Sequence, residues 1–348
     1  MSGAPREVGE LVARWIEEDR PAPLTVRTSG STGEPKDVLL SADAVRASAH
    51  ATLSRLGGPG QWVLALPAHY VAGLQVLVRS RLAATSPVIL REHADLAAAT
   101  GALTGERRYV SLVPTQLQRY LQDPVASEAL ASFDAVLLGG SAAAPELLRR
   151  ARDHKLRVVT TYGMSETCGG CVYDGQPLDG VRVALDEQGS IRLAGPVLFD
   201  GYAGRPDLTA DVLSDCWLHT ADLGRFDDAG RLEVLGRTDD VVVSGGVNVA
   251  LPAVELRVSA MPGVEQCVVV ALPDPEWGSR VVAVVKATPK SAPPDVSAVR
   301  DWVGVELPRT WAPRAVVALD GLPLTEAGKP DRRAVVAMLR QQLGVRRG

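Results

Sequence analysis

Between residues 24 and 163 the chain alternates short β-like runs with longer Ala/Leu/Arg stretches. The β-like runs are LTVRT (24–28), QWVLALP (61–67), SPVIL (86–90), RYVSLVP (108–114), FDAVLLGG (133–140) and LRVVTTYG (156–163). Between them lie segments such as SADAVRASAHATLSRL (41–56), opening at Ser41, whose hydroxyl suits a helix N-cap. Strands that alternate with helices predict an α/β fold with a mainly parallel sheet. The middle runs are almost continuously apolar, as strands covered on both faces must be.

From about 171 to 235 the texture changes to short runs, VRVAL (181–185), SIRLAG (190–195) and RLEVLG (231–236), separated by Gly, Asp and Pro. That pattern predicts a β-meander or small barrel. After about 240, VVVSGGVNV (241–249), a helix-like LPAVELRVSAM, two strong strands, the turn SAPPDV (291–296), a helix near 297–306, a strand near 314–319 and a last helix from 331 predict an α+β unit. The expectation is a large N-terminal α/β domain over 1–237, with a parallel sheet and a small β-subdomain, and a small mobile α+β C-terminal domain over 238–348. Two domains also fit 348 residues at roughly 150 per domain.

The formal net charge of −4 gives no electrostatic case for a nucleic-acid partner or a polybasic membrane anchor. No apolar run approaches the ~20 residues of a membrane span. The opening MSGAPREVGELVARWIEEDR has no signal-peptide core, and four cysteines make no disulfide framework. The expectation is a cytoplasmic protein without membrane insertion. Its oligomeric state is open, with a homodimer one alternative. Of 37 basic residues only five are lysine: Lys36, Lys155, Lys286, Lys290 and Lys329. Where a position only needs a cation, this chain uses arginine. A lysine in a glycine-flanked loop, as at 36 and 329, is therefore a candidate for work that needs a compact, mobile charge.

Four segments carry chemistry. Thr28-Ser29-Gly30-Ser31-Thr32-Gly33-Glu34-Pro35-Lys36 follows a β-like run. Its glycines let backbone N–H groups converge on an anion, its hydroxyls add donors, and Lys36 can reach a terminal phosphate. It lacks Walker A spacing, and a polar surface hairpin is the alternative. Thr161-Tyr162-Gly163-Met164-Ser165-Glu166-Thr167 sits at the carboxyl end of a strand, where α/β sheets bind ligands. There Tyr162 could stack on a base and Glu166 could hold a hard cation; an ordinary strand-to-loop turn is the alternative. Thr220-Ala221-Asp222 and Gly236-Arg237-Thr238-Asp239-Asp240 offer a carboxylate suited to a ribose diol, or simply a solvated turn. Leu324-Thr325-Glu326-Ala327-Gly328-Lys329-Pro330-Asp331 precedes the last helix, and Lys329 there is a functional cation or surface decoration.

In this order the segments resemble the adenylate-forming superfamily of acyl-CoA synthetases, nonribosomal-peptide adenylation domains and firefly luciferase. TSGSTGEPK resembles its phosphate loop, LLGGSA (137–142) its adenine-contacting strand end, and TYGMSET its nucleotide and magnesium motif. TAD is similar to its ribose motif, GRTDD to its hinge and LTEAGKPDR to its C-terminal lysine loop. The resemblance runs from about 24 to 335. Because only 27 residues precede Thr28, the first subdomain of the usual large domain is expected to be reduced or absent.

The resemblance implies ATP, Mg²⁺ and coenzyme A. It implies that Ser29, Gly30, Ser31, Thr32, Gly33 and Lys36 hold the β/γ phosphates, that Gly139, Gly140, Ser141 and Tyr162 frame adenine, and that Thr28 and Gly163 also belong to the nucleotide site. Ser165 would touch the α-phosphate, Glu166 would bind Mg²⁺, and Asp222 and Arg237 would hold the ribose. Lys329 would stabilise the adenylation transition state. Asp239 would be the hinge, and Gly245 and Gly246 would line the path of CoA.

Within the superfamily the segments LPAHYVAGLQVLVRS (66–80), SLVPTQLQRYL (111–121) and TYGMSETCGGCVYDGQPLDGV (161–181) are most similar to the o-succinylbenzoate–CoA ligases of menaquinone biosynthesis. That implies 2-succinylbenzoate as the acid; another carboxylic acid, or a catalytically dead nucleotide-binding homologue, is the rival. The substrate's second carboxylate calls for a buried cation. Arg119, on the helix face of Thr115, is the first candidate, with Arg79 and Arg81 as alternatives. His69 would line the acyl pocket. Cys168-Gly-Gly-Cys171 lacks a second cysteine pair to complete a zinc site, and its position after TYGMSET places it along the acyl pocket instead.

Overall fold

The computed structural model describes residues 3–28, 36–288, 291–323 and 330–342. The strands expected from the βα rhythm form one seven-stranded sheet, in the order Val88–Ile89, Gln61–Leu64, Arg108–Leu112, Ala135–Leu138, Val158–Met164, Gly169–Tyr173, Gln176–Pro177. The first five are parallel and the last two are added antiparallel. Gln61–Leu64 and Ala135–Leu138 are buried at every position, which is why they read as apolar runs apart from Gln61, whose side chain donates to the Ser86 carbonyl and accepts from the Thr104 amide. Helix Ala42–Arg55 begins where Ser41 accepts a 3.3 Å hydrogen bond from the Ala44 amide.

Two expectations are corrected. LTVRT does not join the parallel sheet. Leu24–Thr28 pairs antiparallel with Lys36–Leu40, Thr28 opposite Lys36, and Gly201–Tyr202 adds a third strand. Only seven residues separate Thr28 from Lys36, too few for the crossover of a dozen or more that a parallel neighbour needs. The meander also begins later than 171. Asp174 and Gly175, at φ 48° and 77°, make a two-residue hairpin turn that keeps Gly169–Tyr173 and Gln176–Pro177 in the large sheet. The separate five-stranded sheet comprises Arg182–Leu185, Ser190–Ala194, Leu213–Ser214, Trp217–Phe226 and Leu232–Arg237.

The chain divides into two compact units. One comprises Met1–Ala143, Leu147–Thr220 and Phe226–Glu233; the other comprises Ala144–Glu146, Ala221–Arg225 and Val234–Gly348. The second has a sheet in the order Val247–Ala250, Val241–Ser244, Gly278–Ala287, Val264–Asp274, with Ala315–Ala318 parallel to Gly278–Ala287. Period-2 alternation divides its core between the two faces. Val268, Val270, Val282 and Val284 pack with Val335 and Leu339 of helix Arg332–Gln342. Cys267, Val269, Val281 and Ala283 pack with Val254, Val258 and Val299 of helices Leu251–Ser259 and Val296–Gly304. Among the described residues no helix is long and apolar enough to cross a membrane.

Candidate active site

The carboxyl ends of the parallel strands gather the first group of residues. Ala135–Leu138 and Val158–Met164 are parallel neighbours, with Leu138 opposite Thr160. Gly139–Ser141 and Ser165–Glu166 therefore leave the sheet on the same edge, while Tyr162–Met164 extend past the parallel ladder to pair with Gly169–Tyr173. The backbones come very close there. A Cβ on Gly139 would stand 2.3 Å from Thr161 Oγ1, and one on Gly163 would stand 2.1 Å from the Gly169 carbonyl oxygen. Only glycine fits at either position.

Glu166 is held from three sides. The Thr167 hydroxyl accepts from the Met164 amide at 2.9 Å and donates to the Gly169 carbonyl at 2.7 Å, fixing the one-turn segment Ser165–Thr167. The Glu166 carbonyl accepts from the Phe199 amide at 2.9 Å. The Tyr202 hydroxyl donates to Glu166 Oε1 at 2.8 Å. Burial and the neighbouring carboxylate push the Tyr202 phenol well above its ordinary range, so it stays a donor. Lys36 Nζ lies 5.0 Å from the centroid of the same tyrosine ring. The lysine that ends the Gly/Ser/Thr segment and the carboxylate of TYGMSET thus meet at one tyrosine. Ser29, Gly30, Ser31, Thr32 and Gly33 lie outside the described residues.

His69 follows Gln61–Leu64 on the same edge, exposed, with its ring 4.4 Å from that of Tyr70. Thr115 is exposed at the start of helix Pro114–Tyr120, which Gln116 ties down by a 3.0 Å bond to the Ala65 carbonyl. Arg119 does not supply the expected buried cation: it is exposed, 5.3 Å from the Tyr120 ring. Arg79 is buried at 3% exposure, but it packs over Trp62 at 5.1 Å. It lies nine residues past Tyr70, roughly 13 Å farther along the helix that starts beside His69. Arg81 pairs with Glu17. Cys168 and Cys171 are both buried, and burial pushes their thiols up, Cys171 to about 12, which disfavours the reactive thiolate.

In the second unit, Asp222 and Arg237 form an ion pair at 3.3 Å, with Asp222 buried. Thr238 Oγ1 donates to the Ala221 carbonyl at 3.2 Å, immediately before Asp239. Gly245 and Gly246, at φ 58° and 77°, make the two-residue turn between Val241–Ser244 and Val247–Ala250. They line a cavity of about 800 Å³ with Glu276, Trp277 and Ser279. The Arg314 guanidinium stacks on Trp277 at 3.6 Å. Lys329 lies outside the described residues, but the positions on either side of it are tied down. The Asp331 amide donates to the Pro323 carbonyl at 2.8 Å, and Arg332 pairs with Glu255 at 2.8 Å.

The profile described as AMP-binding enzyme matches residues 10–203, and the one described as AMP-binding enzyme C-terminal domain matches 253–329. The chain belongs to the AMP-binding enzyme family. Like that family, this AMP-binding enzyme is ATP-dependent and adenylate-forming. It is 44% identical over 333 residues to a probable 2-succinylbenzoate–CoA ligase of Mycobacterium tuberculosis, covering 93% of this chain and 86% of the relative. It is 32% identical to a feruloyl-CoA synthase of Amycolatopsis, covering 88% and 67%. The fold is similar to that of the Bacillus subtilis o-succinylbenzoate-CoA synthetase MenE in complex with its acyl-adenylate intermediate, with TM-score 0.72, 26% identity, and coverage of 93% and 69%.

Sequence reasoning missed Tyr202, Trp277 and Arg314. Tyr202 lies 36 residues from Glu166 in a segment with no phosphate-binding pattern. The signal that could have drawn attention to Trp277 is its place in a turn, PDPEWG, between two strong strands.

Proposed function

We propose that this enzyme is an AMP-forming 2-succinylbenzoate–CoA ligase. The observation that carries the chemistry is the approach of Lys36 and Glu166 to one tyrosine at the carboxyl edge of the sheet. The choice of acid is supported by the 44% identical mycobacterial relative.

In the first half-reaction a carboxylate oxygen of the acid attacks the α-phosphorus of ATP and pyrophosphate leaves. Ser29 to Gly33 and Lys36 hold the β/γ phosphates, Lys36 as a mobile point charge. Gly139, Gly140, Ser141 and Tyr162 frame the adenine, Ser165 meets the α-phosphate, and Thr28 and Gly163 also belong to the nucleotide site. Asp222, steadied by Arg237, accepts from the ribose hydroxyls. Glu166 fits Mg²⁺, a hard cation usually held by one or two carboxylates together with substrate phosphates. Bound Mg²⁺ supplies charge neutralisation across the triphosphate oxygens. Lys329 stabilises charge developing at the α-phosphate.

In the second half-reaction the thiol of coenzyme A attacks the acyl carbon, loses its proton, and AMP leaves. Gly245 and Gly246 give the pantetheine arm close passage, and Trp277 with Arg314 offers an aromatic face and a cation beside it. The division at 237/238 separates an adenylating domain from a mobile one that pivots at Asp239. Work on ATP and CoA suits a cytoplasmic enzyme. His69 and Thr115 line the acyl side.

A different aryl acid is the second reading, favoured by the 32% identity to a feruloyl-CoA synthase and by the exposure of Arg119. ATP–pyrophosphate exchange across 2-succinylbenzoate, benzoate and ferulate separates the two. Exchange that is strongest with 2-succinylbenzoate is expected; strongest exchange with ferulate would replace this reading.

A further inference from the structure

Lys36 and Glu166 carry opposite charges and approach the same side chain, yet among the described residues they form no ion pair with each other. What lies between them is Tyr202. Its hydroxyl engages one carboxylate oxygen and its ring face meets the ammonium. The ring is itself held in place. Tyr202 pairs with Val38, two residues from Lys36 on the same strand, so the lysine is its diagonal neighbour. Its amide donates to Thr209 Oγ1 at 2.9 Å, and Phe199 packs edge-on at 5.0 Å.

Two opposite charges that approach one side chain are free to form a contact ion pair once that side chain is removed. A lysine so paired is a poorer ligand for phosphate, and a carboxylate so paired is a poorer ligand for a cation. We propose that Tyr202 is a positioning residue that keeps Glu166 and Lys36 apart, presenting the carboxylate to the metal and the ammonium to the phosphates. This rests on the adenylation reading above. The tyrosine touches neither reacting atom; it acts through the two groups it separates.

Mn²⁺ binding to the full chain with a non-hydrolysable ATP analogue, followed by electron paramagnetic resonance, tests the metal arm without turnover. Tyr202→Phe keeps the ring and loses the donor. Its Mn²⁺ affinity should fall about 10-fold, the scale for losing a partner that orients a metal ligand. Affinity for the metal-free analogue should stay near wild type in Tyr202→Phe and weaken in Tyr202→Leu, which removes the ring face as well. Adding Tyr202→Phe to Glu166→Gln should cost no further Mn²⁺ affinity. Thermal melts accompany each variant. Should the phenylalanine variant melt early, Tyr202→His, which restores a donor on a ring, must bind Mn²⁺ more tightly than phenylalanine does. Wild-type Mn²⁺ affinity in Tyr202→Phe, or a further loss on top of Glu166→Gln, overturns the inference and leaves the function reading intact. Wild-type Mn²⁺ affinity in Glu166→Gln alone removes the metal role on which both rest.

Discussion

The indole of Trp277 lies so close over Gly245 that a Cβ there would stand 2.6 Å from its Cε3 atom, while the Gly245 amide donates to the Trp277 carbonyl at 2.9 Å. The turn and the aromatic wall are one rigid feature, and neither can change without the other.

Gly245→Leu is therefore expected to displace Trp277 and close the path proposed for the pantetheine arm. A side chain at φ 58° adds backbone strain. Thioester formation from a supplied acyl adenylate should fall by on the order of 10²-fold, the scale of a displaced positioning contact. Acid-dependent ATP–pyrophosphate exchange should change little. Equal loss in both assays would mean that the substitution disturbs the whole unit.

Arg119 is exposed, and an exposed ion pair contributes at most about 1 kcal/mol. Arg119→Ala should raise KM for 2-succinylbenzoate by no more than about fivefold. The comparison that checks it is KM for the diacid against KM for benzoate. A rise of several hundredfold confined to the diacid would show that the arginine becomes buried against bound substrate.

Arg79 presents the opposite case. It is buried, its Nε has no hydrogen-bond partner among the described residues, and burial pushes its guanidinium below the ordinary range. Its partner is the Tyr173 hydroxyl rather than a carboxylate, and a buried charge without an opposite charge costs stability that an apolar residue of similar volume does not. Arg79→Met should keep exchange activity and melt at or above the wild-type temperature. Loss of 2-succinylbenzoate-dependent exchange in a protein with an unchanged melt would make Arg79 the cation that the acid needs.

These residues also show what the chain discloses before it is folded. Gly139, Gly163 and Glu166 were legible because each sits in a contiguous segment directly after an apolar run, and strand ends in α/β sheets are where ligands bind. LTVRT reads the same in a hairpin as in a parallel sheet; the discriminating sign is the seven-residue connection to Lys36, too short for a crossover helix. The spacing of Thr115 and Arg119 told which residues share a helix face, but not whether that face is covered. Tyr202 was invisible because its partners, Glu166 and Lys36, are 36 and 166 residues away, and only the pairing of Gly201–Tyr202 with Leu39 and Val38 brings them together.

Lys329 offers the sharpest test of the two-step cycle. It lies ninety residues beyond Asp239, in a segment flanked by the Asp331–Pro323 hydrogen bond and the Arg332–Glu255 ion pair. A charge that stabilises only the adenylation transition state should affect that step alone. Lys329→Ala is expected to lose adenylation by on the order of 10²-fold or more. It should still convert a supplied acyl adenylate and CoA to the thioester at near wild-type rate. A restriction at Asp239, the hinge proposed above, should act in the opposite sense, because hinge residues absorb the backbone rotation of a domain movement. Asp239→Pro fixes φ there, so it should adenylate and fail to transfer. Measuring pyrophosphate exchange and thioester formation separately in both variants gives four rates. The expected pattern is a crossed one, each variant defective in the step the other retains. Loss of both steps in Lys329→Ala would end the division of labour between the lysine segment and the glycine hairpin, and would point to one arrangement of the two units serving both reactions.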